Sequence, residues 1–137
     1  MNDVAKKEEE WRTGQVDLRD DMGRTALWRA VRAGQTTEVA SLIGAGADVA
    51  VAALTDDNPR NAGATPLFIG CRHGYSEIVS LLVATGVAVD TPNDDGTTPL
   101  CAACWGGHEQ VVTLLLAARC DVDKALNSGA TPLYIAC

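Results

Sequence analysis

The stretch Gly96-Thr97-Thr98-Pro99-Leu100-Cys101-Ala102-Ala103-Cys104-Trp105-Gly106-Gly107-His108-Glu109-Gln110-Val111-Val112-Thr113-Leu114-Leu115-Leu116 decides the fold, because its key words recur along the chain. Thr65-Pro66-Leu67 precedes Thr98-Pro99-Leu100 by the same interval at which Thr131-Pro132-Leu133 follows it. Thr25-Ala26-Leu27 lies one somewhat longer interval ahead of the first Thr-Pro-Leu. Each copy follows a glycine by two residues (Gly23, Gly63, Gly96, Gly129), and the first three run on to Gly34, Gly74 and Gly107. A fixed period of roughly 33 residues is the mark of stacked repeats.

Local chemistry turns each copy into a helix pair. Thr is a good helix N-cap and Pro suits the first helical position, so each Thr-Pro predicts a helix start. The later glycine supplies a left-handed stop, which leaves a helix too short to stand without packing. A second helix follows, with Ile78, Val79, Leu82 and Val83 on one stripe and Val111, Val112, Leu115 and Leu116 repeating it. The turns Asn93-Asp94-Asp95-Gly96 and Asn127-Ser128-Gly129 carry the residues that reverse a chain tightly.

These words resemble the ankyrin-repeat family, whose signature reads T-P-L-H-x-A at a period of about 33 residues. The second half of that family's unit is echoed by Gly74 to Gly86, by Gly107 to Leu116, and by Gly34 to Val49 with its ending Gly46-Ala47-Asp48-Val49. The resemblance implies an all-α ankyrin-repeat solenoid of helix-turn-helix units with projecting β-hairpin-like turns. It divides the chain into a degenerate N-terminal partial repeat or cap at 1–19, repeat one at 20–60, repeat two at 61–92, repeat three at 93–125 and a truncated repeat four at 126–137. The last of these stops inside a first helix, so a fraying end and a continuation through one more repeat are expected.

Composition fits a stack with a core of Ala, Val and Leu, since 47% of the 137 residues are hydrophobic and only 4% aromatic. The net charge of −7 speaks against nucleic acid as a partner, which would need a basic stripe. The longest mostly apolar stretch, Ile78 to Val89, is far short of the roughly 20 residues of a membrane span. Met1 to Lys7 lacks the apolar stretch of a secretory signal, so no membrane insertion and a cytoplasmic location are expected.

Cys71, Cys104 and Cys137 share one repeat position, filled by Val31 in the first unit, and Cys120 takes a small-residue place parallel to Ala47. They read as small buried hydrophobes, too far apart across packed helices for a direct disulfide. Cys101-Ala102-Ala103-Cys104 is a C-x-x-C, which elsewhere means thiol redox chemistry or half of a zinc site. With no second pair at ligand spacing, neither metal nor cofactor is expected, and Cys101/Cys104 redox chemistry stays as the enzymatic alternative.

Four departures from the family pattern stand out. The histidine of T-P-L-H, which in that family hydrogen-bonds between repeats, is replaced by Trp28, Phe68, Cys101 and Tyr134. These side chains either pack beneath the turns or form an aromatic contact column. Glu38 takes a place that is Ile78 and Val111 in the later units, and Arg119 stands where Gly46 and Gly86 end the other outer helices. The extra residues of the longer first interval fall within 50–61, where they lengthen a projecting turn through drift or as a partner-contacting finger.

The resemblance implies a non-enzymatic module that binds another protein through the concave inner-helix face and turn tips, as a monomer or part of a longer array. A spacer within a larger protein is the structural alternative. Carried over residue by residue, the family's variable contact positions include Arg24, Arg32, Arg72, His73, Asp94, Asp95, Thr97 and Trp105. Arg32, Arg72 and Trp105 occupy one equivalent column of residue types enriched at hot spots, and a partner segment with acidic and apolar groups would suit it.

Overall fold

Three threonines open three short helices in the same way. The hydroxyl oxygens of Thr25, Thr65 and Thr98 accept hydrogen bonds from the backbone N–H of Trp28, Phe68 and Cys101, at 3.2, 3.2 and 3.3 Å. Pro66 and Pro99 hold the first turn, as the sequence predicts. In the computed structural model, which describes residues 16–120, the helices are α1 (Ala26–Arg32), α2 (Thr36–Gly44), α3 (Pro66–His73), α4 (Ser76–Ala84), α5 (Pro99–Gly106) and α6 (Glu109–Ala117), with one 3-10 turn at Pro59–Asn61. No strand occurs among the described residues. Gly74 (φ 75°) and Gly107 (φ 68°) end α3 and α5 in the left-handed conformation that the glycine spacing calls for.

The six helices form two rows. α1, α3 and α5 lie side by side as the inner row, and α2, α4 and α6 form the outer row, each packed on the inner helix of its own unit. Leu27, Leu67 and Leu100 repeat one buried position along the inner row, and Leu42, Leu82 and Leu115 repeat another along the outer row. Burying one such side chain stabilises by about 1.5–3 kcal/mol, so each layer is held chiefly by its neighbours.

The turns keep one register. Asn93 donates its N–H to the Thr97 carbonyl and accepts from Gly96, and Asp20 does the same with Arg24 and Gly23. Ala53 makes the equivalent pairs with Ala64 and Gly63. Adjacent turns are joined by Leu54 N–H to the Met22 carbonyl and Asp94 N–H to the Ala62 carbonyl, both 3.0 Å. The extra residues therefore bulge between Ala53 and Ala64 without disturbing turn closure.

That bulge, read from the sequence as drift or as a partner-contacting finger, leaves Leu54 exposed at one end. It folds back onto the first unit and buries the Asp56 side chain completely, where two arginines and Asn61 pair with its carboxylate. Arg119, at φ 61°, is the one described residue other than glycine with positive φ, as its place in the glycine pattern implies. Most of the N-terminal partial repeat, residues 1–15, lies outside the described residues, as do Thr131-Pro132-Leu133, Tyr134 and Cys137.

Candidate functional site

Arg24 projects from the first turn and is held on three sides. Its Nε donates to Asp20 Oδ2 at 2.9 Å, its Nη1 donates to Asp56 Oδ1 at 2.9 Å, and its guanidinium carbon lies 6.0 Å from the centroid of the Trp28 ring. Burial opposes the charge on Arg24, but Asp20 and Asp56 outweigh it and hold the guanidinium protonated more firmly than usual. Arg32, at the end of α1, forms an ion pair with Asp56, its Nε 3.0 Å from Oδ2. One carboxylate thus bridges Arg24 and Arg32 of the first unit.

Asp56 is saturated on both oxygens, since Asn61 Nδ2 also donates to Oδ2 at 2.7 Å. Burial alone would push the Asp56 carboxyl up. Hydrogen bonds from Asn61 and the Asp57 backbone, with the charges of Arg32 and Arg24, reverse the sign and hold it below the ordinary carboxylate range. Asn61 passes the network on, its Oδ1 accepting from Arg72 Nη1 of the second unit. The inserted bulge therefore links the arginine positions of units one and two. Asp56 lay hidden in the sequence because Arg24 and Arg32 belong to a distant part of the chain, and only the backward path of the bulge brings them together.

The histidine substitutions resolve mostly inward. Trp28 is fully buried, and its indole Nε1–H donates to the Ala64 carbonyl of the next unit at 2.8 Å. An inter-repeat hydrogen bond survives there in altered chemistry. Phe68 and Cys101 are buried as well, so residues 28, 68 and 101 form no exposed aromatic column. Tyr134 lies outside the described residues. His108 Nε2 donates to the Arg72 carbonyl at 2.9 Å, a second bond between units.

The remaining candidate positions differ in what they offer. His73 is exposed and stacks on Tyr75 with ring centroids 5.4 Å apart; burial, then the charges of Arg72 and Arg32, lower its pKa and favour the neutral ring. Asp94 and Asp95 are exposed at the third turn tip, whereas Thr97 is buried and gives its N–H to Asn93 Oδ1. Trp105 stands 59% exposed at the end of α5, where packing leaves most of the indole in solvent. Arg24, Arg32 and His73 come together with Arg29 and Ala33 around a cleft of about 300 Å³. Trp105 does not line it.

Thiol chemistry finds little support in this geometry. Cys71 and Cys101 are fully buried, and burial pushes the Cys71 thiol well above its usual range. Cys104 is half-buried, and burial with the neighbouring Cys101 raises its pKa too, the reverse of an activated thiolate. Among the described residues no group of three His, Cys, Asp or Glu could hold a metal ion, and no helix is long and apolar enough to cross a membrane.

A family model described as ankyrin repeats (3 copies) matches residues 50–126 and 86–137. No curated protein matches the chain.

Proposed function

Because the chain belongs to the ankyrin-repeat family, whose repeats are generally protein–protein interaction modules, we propose that it binds a partner protein through the concave inner-helix face and the adjoining turn tips. The observation that carries this reading is Trp105, a large aromatic left 59% exposed on the inner row in a chain whose other described tryptophan, Trp28, is fully buried. Asp94 and Asp95 at the neighbouring turn tip, with Arg32 and Arg72 further along the row, frame it as the polar rim of such a patch. The chemistry asked of these residues is recognition, with no bond made or broken.

A photocrosslinking residue placed at Trp105 identifies the partner, and titration calorimetry then measures the variants. Trp105→Ala is expected to weaken that partner by about 2 kcal/mol or more with the helical signal unchanged. Leu116→Ala, at an exposed apolar residue of the outer row, serves as the control and leaves binding intact. Equal binding by Trp105→Ala and the unaltered protein would move the interface off the inner row.

A further inference from the structure

The cleft of about 300 Å³ between the ends of α1 and α3 is basic on an otherwise acidic chain. Arg24, Arg29, Arg32 and His73 line it with Ala33, while the whole protein carries a net charge of −7. Arg29 is exposed and has no acidic partner among the described residues. Arg72 and Arg60 add to the same field, since each charge is felt at its neighbours. Of the nearby carboxylates, Asp20 and Asp56 are already engaged with Arg24 and Arg32, and Asp21 and Asp57 are exposed beside them in the sequence.

Each of the two bridged arginines still has nitrogens that no carboxylate holds. Arg24 commits Nε to Asp20 and Nη1 to Asp56, and Arg32 commits Nε to Asp56. A guanidinium carries five donors in a rigid fork, so Arg24 Nη2 and both terminal nitrogens of Arg32 keep donors to offer in the cleft. Long arginine side chains normally lose rotamer freedom when they grip a ligand, and here Asp56 has ordered both in advance. Planar, fixed guanidinium edges are matched to carboxylates, which they bind in paired hydrogen bonds.

Resting on the protein-binding reading above, we propose that this cleft receives the side-chain carboxylates of an acidic segment in the partner protein, with Asp56 as the positioning residue that holds Arg24 and Arg32 extended into it. Charge complementarity selects this occupant. A short acidic segment can place its carboxylates within the basic cleft, whereas a nucleic acid extends its phosphates beyond it over the acidic remainder of the chain.

The test uses a fluorescein-labelled hexaglutamate peptide and the full chain, with hexaglutamine and an oligothymidylate of equal length as comparison probes. Hexaglutamate binds in fluorescence anisotropy, weakens steeply with added salt, and binds more tightly than either comparison probe. Arg29→Gln, at an exposed residue, retains the fold and weakens binding by about three- to ten-fold. Asp56→Asn carries the decisive sign: it makes the protein more positive by one charge, so Coulomb attraction alone tightens hexaglutamate, whereas loss of pre-ordering loosens it, by about five-fold. Circular dichroism checks that variant, and if it does not fold, Arg29→Gln decides alone. Equal or tighter binding by a folded Asp56→Asn, no effect of Arg29→Gln, or preferred binding of the oligothymidylate overturns the proposal. Leu116→Ala, at an exposed residue of the outer row, leaves hexaglutamate binding unchanged. A natural partner that needs Trp105 yet does not compete with hexaglutamate would sink this cleft assignment and leave the protein-binding reading standing.

Discussion

Replacing Trp28 with Phe removes one hydrogen bond and part of a buried ring from the interface between the first two units. The indole N–H reaches the Ala64 carbonyl at 2.8 Å, and that carbonyl also accepts from Ala53 N–H at 3.0 Å. The acceptor therefore stays satisfied in the variant, and the loss is the ordinary net worth of about 1 kcal/mol for one bond. Trading indole for phenyl in a fully buried site adds about 1–2 kcal/mol for lost contacts and the void left behind. The sum, about 2–3 kcal/mol, corresponds to a fall in midpoint of roughly 10 °C for a domain of this size. Urea denaturation followed by far-ultraviolet circular dichroism measures it. Because stability in a stacked array resides largely in the interfaces, the first unit should also uncouple, which lowers the slope of the transition. A loss below about 0.5 kcal/mol with an unchanged slope would refute the claim that Trp28 ties the two units together.

Three further outcomes are expected. Asp56 has a folded pKa below its unfolded value of about 3.9, so its stabilising contribution is present above about pH 4 and lost as pH falls through the depressed folded value. The stability gap between the natural protein and Asp56→Asn should accordingly close on acidification, and a gap that stays constant from neutral to strongly acid pH contradicts the assignment. Arg119→Gly relieves a left-handed backbone at φ 61° and should stabilise by about 0.5–1 kcal/mol after loss of a favourable charge at the helix end, read as a rise in thermal midpoint; no rise means the strain is absent. In native thiol labelling at neutral pH, Cys71 should stay unreacted until the protein unfolds and Cys104 should react at least about ten-fold more slowly than free cysteine, while a rapid Cys104 would revive the redox alternative.

Much of the candidate surface could be placed in advance by counting from the repeat glycines. Trp105, Asp94 and Asp95 prove exposed, and His73 lines the cleft with Arg24 and Arg32. The same counting put Thr97 on the surface, yet that residue is buried because its N–H closes the Asn93 turn. Arg29 escaped notice since it lies outside the positions that repeat counting marks as variable, and only the open cleft shows what it faces.

Two kinds of information separate cleanly in this protein. The helix pairs, their threonine caps, their glycine stops and the left-handed Arg119 follow from the sequence alone, because each depends on residues within a turn or two of one another and recurs at a fixed period. The carboxylate bridge of Asp56 to Arg24 and Arg32, and the bond from Trp28 to Ala64, belong to the tertiary structure. Both join residues far apart in the chain and depend on where an insertion without a repeat counterpart turns back. No local propensity specifies that path; the desolvated carboxylate and indole N–H must find partners once buried, and the stacked units supply them.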